Sequence, residues 1–208
     1  MSLLTILTYP GFFRMDADSI RRASEVVLAG GVIGYPTDTV YGLGCDPKNE
    51  AAVRRLFAIK GREKKPVPVL CATRKRASDL VEFDDGSAKR LARTYWPGPL
   101  TLVLPLKRDL PEPLHQGTRW LGVRVPAHRD CLSLISRVGG WMTGTSANLS
   151  GNPSCRSADE VVKQLGDRVD LVLDGGPLTG LESTVVRVDR GHVEVLRRGA
   201  ISLESGEL

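Results

Sequence analysis

Metal-ligand spacings are missing from this sequence. Its four cysteines, Cys45, Cys71, Cys131 and Cys155, lie far apart with no C-x-x-C, and its three histidines, His115, His128 and His192, show no H-x-x-x-H. A structural zinc site, or any protein-held metal, is therefore not expected. Four cysteines in 208 residues are also too few for a disulfide framework, so reduced thiols and a cytoplasmic location are expected. Aromatic residues make up only 5%, which argues against a platform for stacking bases. No apolar run reaches the length of a membrane span, and the first eight residues carry no basic segment before a long apolar core, so no membrane partner is expected.

Several catalytic signatures are absent too. There is no G-x-x-x-x-G-K-[ST], which excludes a P-loop. Gly42-Leu43-Gly44 begins like a dinucleotide fingerprint, but Pro47 stands where the third glycine belongs. No G-x-S-x-G elbow occurs, and Ser146-Ala147-Asn148 has no S-x-x-K partner, so acyl-enzyme chemistry lacks its parts.

What is present is a globular composition, 41% hydrophobic and 25% charged, with a net charge of +5 and a pI near 9.2. Such a balance favours anionic ligands without the density of a dedicated nucleic-acid binder. Apolar periodicity predicts a helix through Ile20, Ala23 and Val27, capped by Asp18 or Ser19, and another through Ala52, Val53, Leu56 and Ile59, capped by Asn49. A further helix, capped by Ser157, is predicted through Val161 and Leu165. Short apolar runs at 32–35, 66–70, 101–106, 121–125 and 170–174 predict strands, and 183–188 with 193–197 predicts a hairpin about Asp189-Arg190-Gly191. The Pro- and polar-rich stretch 109–118 reads as a loop. With no repeats and no linker, one α/β domain over 1–208, built on a mixed sheet flanked by helices, is the economical reading.

Several strands end in polar groups, as ligand-binding ends of open α/β sheets do. The run from Gly34 to Gly44 stops at Pro36 and then presents Thr37 and Thr39. The basic run Lys60 to Lys65 precedes the strand at 66–70, and Ser146 with Asn148 follows a further predicted strand at Trp141-Met142-Thr143. Arg124 lies within an apolar strand whose other face is Leu121, Val123 and Val125, and so needs an ion pair or a charged ligand. Ser183-Thr184 and Arg197 complete a set of cations and hydroxyls suited to a phosphorylated or carboxylated small molecule.

Taken together, Gly34-Tyr35-Pro36-Thr37-Asp38-Thr39-Val40-Tyr41-Gly42, Lys60-Gly61-Arg62, Trp96-Pro97-Gly98-Pro99-Leu100-Thr101, Val123-Arg124-Val125-Pro126, Ser146-Ala147-Asn148-Leu149-Ser150-Gly151 and Glu182-Ser183-Thr184 closely resemble the YrdC family, over roughly 17–199. The resemblance implies a twisted open α/β sheet with a basic concave cavity, in the short single-domain form. It implies a nucleotidyltransferase that makes threonylcarbamoyl-AMP and pyrophosphate from L-threonine, bicarbonate and ATP. Magnesium would be carried with ATP, and the product would serve the N6-threonylcarbamoyl modification of adenosine 37 in tRNA through downstream transferase proteins. By the same resemblance Thr39, Arg124, Thr145 and Ser183 would hold threonine. Lys60 and Arg62 would act on the phosphates as catalytic residues, and Lys65, Ser146, Asn148, Ser154 and Arg197 would lie on the nucleotide side. Two other readings compete: a module that binds tRNA or double-stranded RNA, and a divergent paralogue with another substrate.

Overall fold

A computed structural model describes residues 11–61 and 65–203. Among these residues eleven strands form two mixed sheets rather than one. The first sheet has the order β1 (Gly11–Arg14), β9 (Leu171–Asp174), β2 (Ile33–Tyr35), β3 (Gly42–Gly44) and β8 (Thr145–Ser146). The second has the order β11 (His192–Arg197), β10 (Thr184–Asp189), β5 (Leu100–Pro105), β6 (Trp120–Arg124), β4 (Val69–Cys71) and β7 (Trp141–Thr143). The expected mixed α/β architecture is borne out, with its strands divided between two layers.

The helices are α1 (Ala17–Leu28), α2 (Glu50–Lys60), α3 (Arg74–Ser78), α4 (Gly86–Tyr95), α5 (Glu112–His115), α6 (Arg129–Arg137) and α7 (Ala158–Leu165). Asn49 and Ser157 cap α2 and α7 as predicted, accepting from Ala52 N and Glu160 N. At α1 the cap is Asp16, not Asp18 or Ser19. The reason is tertiary: Met15 N still donates to Asp174 O at the end of the β1–β9 ladder, so the chain leaves the sheet and turns into the helix at once. The stretch 109–118 is likewise not wholly loop, because Pro111 and Pro113 sit in the opening turn of α5, where the missing N–H costs nothing. Arg124 ends β6 instead of lying in its middle.

Gly144 and the helix pair α1 and α6 join the layers. Gly144 separates β7, which pairs with β4 in the second sheet, from β8, which pairs with β3 in the first. A Cβ on Gly144 would stand 2.5 Å from Leu70 Cγ, so only glycine lets the chain cross there. Helices α1 and α6 then cover both sheets, burying Ile20, Ala23, Leu134 and Ile135 against Ile33 and Leu171 on one side and Leu70 and Met142 on the other. The β10–β11 hairpin turns at Arg190 and Gly191, both with positive φ, as a tight turn of matching twist requires.

Candidate functional site

The crossing at Gly144 opens a cavity of about 550 Å³ between the layers, floored by the face of the second sheet that its core residues leave free. Period-two alternation explains the floor. Leu100, Leu102 and Leu104 point into the core, while Thr101 and Val103 face the cavity; Gly122 and Arg124 do the same on β6, and Val185 and Arg187 on β10. Gly122 keeps the floor low, since a Cβ there would meet Pro68 Cβ at 3.0 Å and Thr101 Cγ2 at 3.2 Å.

Arg124 occupies one end. Nε donates to Gly98 O at 2.9 Å, Nη1 to Thr39 Oγ1 at 3.1 Å, and Nη2 to Asp38 Oδ1. Burial lowers its pKa from the ordinary arginine value, and the Asp38 charge works the other way. Proton order in the loop follows from the donors. Thr37 gives its single hydroxyl hydrogen to Val40 O at 2.7 Å, so in the 3.0 Å contact Thr39 is the donor and Thr37 the acceptor. Thr39 Oγ1 therefore accepts from Arg124 and retains one lone pair.

The opposite wall is tied just as closely. Ser183 Oγ lies 2.9 Å from Thr101 Oγ1, and Arg197 Nη2 donates to Ser183 O at 2.8 Å and to Ser183 Oγ at 3.2 Å. Arg197 also pairs with Glu182, which accepts from Ser154 Oγ. Ser154 does not line this cavity. It borders a neighbouring one of about 870 Å³ that shares Val40 and Glu182 with the first.

Lys60 plays a different geometric part. It is 2% exposed and its Nζ donates to Ser146 O, to Asn148 O at 2.9 Å and to Asn148 Oδ1 at 3.2 Å. Asn148 Nδ2 in turn donates to Leu149 O and Asn152 O. Lys60 and Asn148 thus lie behind the wall and hold the turn that presents Ser146. Thr39, Lys65, Arg124, Thr145, Ser146, Ser183 and Arg197 all line the one cavity. Arg62 lies outside the described residues. Sequence reasoning assigned no role to Asp38, Thr101, Glu182 or the pair at the far end of β6, where the Arg187 guanidinium lies 4.0 Å over the Trp120 ring. Asp38 and Glu182 had a signal, each standing next to a residue already assigned.

No group of three or more His, Cys, Asp or Glu side chains suited to holding a metal ion occurs among the described residues. Tyr41, whose hydroxyl donates to Gly176 O at 2.8 Å, is pushed up to about 12 by burial, and burial raises Tyr35 as well, so neither is poised as a base. The arrangement suits binding and charge compensation, not nucleophilic attack by the protein.

A family model named for Sua5, YciO and YrdC, described as telomere recombination, matches residues 25–199. The threonylcarbamoyl-AMP synthase of Halorhodospira halophila is 41% identical over 181 residues, covering 86% of this chain and 94% of the relative. That of Pyrococcus abyssi is 36% identical over 196 residues, covering 93% of this chain and 58% of the relative. The chain thus spans little more than half the length of that relative, and 55% of a Bacillus subtilis one. The structure of P. abyssi Sua5 complexed with L-threonine superposes with a TM-score of 0.85 at 36% identity, covering 91% of this chain and 56% of that one. Escherichia coli YciO gives a TM-score of 0.82 at 29% identity, with 91% and 94% covered. By its sequence and its fold alike, the chain belongs to the Sua5/YciO/YrdC family.

Proposed function

We propose that this protein is a threonylcarbamoyl-AMP synthase that uses L-threonine, bicarbonate and ATP. The observation that carries the reading is the convergence in one cavity of a buried arginine–hydroxyl end, Arg124 with Thr39, and a wall bearing Lys65, Ser146 and Arg197. Guanidinium geometry suits a carboxylate at the first, and cations with hydroxyls suit phosphates at the second. Relatives named for this activity, and one that binds L-threonine, support it.

In this reading threonine's amine combines with bicarbonate to give a carbamate and water. A carbamate oxygen then attacks the α-phosphorus of ATP, forming the new P–O bond as the bond to pyrophosphate breaks. Catalysis rests on positioning and on cancelling negative charge as two anions approach. Lys60 contributes by fixing Ser146, and Arg62 by contact with the phosphates. Magnesium enters on ATP, through phosphates and water. The product serves t6A modification of tRNA through separate transferase proteins.

Pyrophosphate release is the test, with threonine and bicarbonate each omitted in turn. Release that needs both is expected. Release that needs neither would overturn the reading in favour of a paralogue with another substrate. Salt-sensitive RNA binding without ATP binding would favour the RNA-binding module instead.

A further inference from the structure

We propose that the neighbouring cavity of about 870 Å³ is the receiving site for pyrophosphate, held there by Arg156, Lys163 and Arg168 as it leaves the reaction. This rests on the proposed function, in which a carbamate oxygen displaces pyrophosphate from the α-phosphorus. Displacement at phosphorus runs roughly in line, so the leaving group departs on the side opposite the attacking oxygen. In that reading threonine sits at Arg124, on β6. Arg197 stands three strands away on β11, roughly 14 Å off at about 4.8 Å per strand. The leaving group therefore moves from the Arg124 end towards the wall of Ser183, Glu182 and Arg197, and the second cavity lies against that wall and shares Glu182.

What lies behind the wall suits a polyanion. Glu160, Lys163 and Gln164 follow one another on one face of α7, with Arg156 before the helix and Arg168 after it, and all five line the second cavity. The three cations are exposed, and none has a carboxylate partner among the described residues. Arg168 Nη2 donates to a carbonyl, Gln164 O, at 3.2 Å. Both carboxylates of the lining are already engaged: Glu160 Oε2 accepts from Arg156 N at 2.7 Å, and Glu182 accepts from Ser154 Oγ and Arg197. Gln164 fastens this face to the reaction cavity. Its Oε1 accepts from Leu149 N and its Nε2 donates to Pro153 O, each at 3.2 Å, just beyond Ser146 in the chain. An anion arriving at Arg197 competes with Glu182 for the guanidinium, and so loosens the one side chain that stands between the cavities and carries negative charge. Exposed cations hold a polyanion loosely, because water and salt screen them, which suits a product on its way out.

A site of its own binds pyrophosphate while the reaction cavity is full. Magnesium pyrophosphate is titrated calorimetrically into the full chain saturated with L-threonine and a labelled non-hydrolysable ATP analogue, whose retention is counted. Wild-type protein should bind it without losing the analogue. Arg156→Met with Lys163→Met should weaken that binding roughly tenfold or more, the worth of two screened, charge-assisted hydrogen bonds. Arg90→Met with Arg93→Met makes the same charge change on α4, outside both cavities, and should alter it by less than about twofold at about 0.15 M salt. KM for ATP and for threonine should stay within about twofold of wild type in both double variants, as screened charges outside the reaction cavity require. Pyrophosphate that does not bind, or binds only by displacing the analogue, overturns the inference. So does an Arg156→Met, Lys163→Met protein that binds as well as wild type or no worse than the α4 control. A loss of ATP affinity matching the loss of pyrophosphate affinity would place the two cations in the nucleotide site and overturn it too. Each of these outcomes leaves the synthase reading standing; that reading fails separately, if ATP with threonine and bicarbonate yields no pyrophosphate.

Discussion

Replacing Arg124 by Met keeps an apolar stem in the strand but strands Asp38 as a buried, uncompensated charge. Breaking one side of a buried ion pair costs about 3–5 kcal/mol. Gly98 O and Thr39 Oγ1 lose their donors as well. For a chain of this size the loss corresponds to roughly 6–20 °C in melting temperature. The double variant Asp38→Asn with Arg124→Met removes both charges, and should return to within about 2 kcal/mol of wild type. Urea unfolding at pH 7 measures all three proteins, with the m value as the check that only stability has changed. A single variant that loses less than about 1 kcal/mol, or a double variant no better than the single, would refute the account of a desolvated, mutually dependent pair.

Lys60→Met should cost about 2–4 kcal/mol by leaving three buried oxygens of the 146–148 turn short of a donor. Hydrogen exchange should quicken at 146–150 before the core strands, and uniform protection there would contradict the proposed fastening. Asp170 is raised by burial, but the Arg55 guanidinium and Val32 N–H outweigh this and hold it below the usual carboxylate value. A depressed folded pKa stabilises above the unfolded value and is lost as pH falls through the folded one, so Asp170→Asn should lower the melting temperature at pH 7 and converge with wild type in acid. A difference that persists unchanged at low pH would rule this out. Burial pushes the thiols of Cys45 to about 12 and Cys155 to about 11, and raises Cys71 and Cys131 too. All four should resist a disulfide reagent at pH 8 in the folded protein and react on denaturation; rapid labelling of the native chain would contradict their burial.

Much of the local structure was legible because it depends on neighbours. The caps at Asn49 and Ser157 are contacts three residues long, and the alternation of Leu121, Val123 and Val125 is a property of any pleated strand. The α1 cap was misread as Asp18 or Ser19 because Asp16, Asp18 and Ser19 all suit the position, and only the β1–β9 ladder selects Asp16. The strand-end hydroxyls and cations pointed to one ligand region, and Thr39, Arg124, Ser146, Ser183 and Arg197 do line one cavity. Asn148 and Lys60 were read as reaching the ligand; the tertiary structure adds that Lys60 Nζ and Asn148 Nδ2 donate to oxygens of the turn that carries Ser146.

By itself the sequence determined the longer amphipathic helices, the strand faces and the need of Arg124 for an anion, because those follow from local hydrogen bonds, side-chain period and the cost of burying charge. It left open which anion. Asp38 lies 86 residues away in the chain, and meets Arg124 only because the loop after β2 in one sheet is laid over the end of β6 in the other. The same holds for Lys60 and Ser146, also 86 residues apart, and for the crossing at Gly144 that joins the layers. Partners at that separation are set by how two sheets stack, and stacking is a property of the whole core rather than of any one segment.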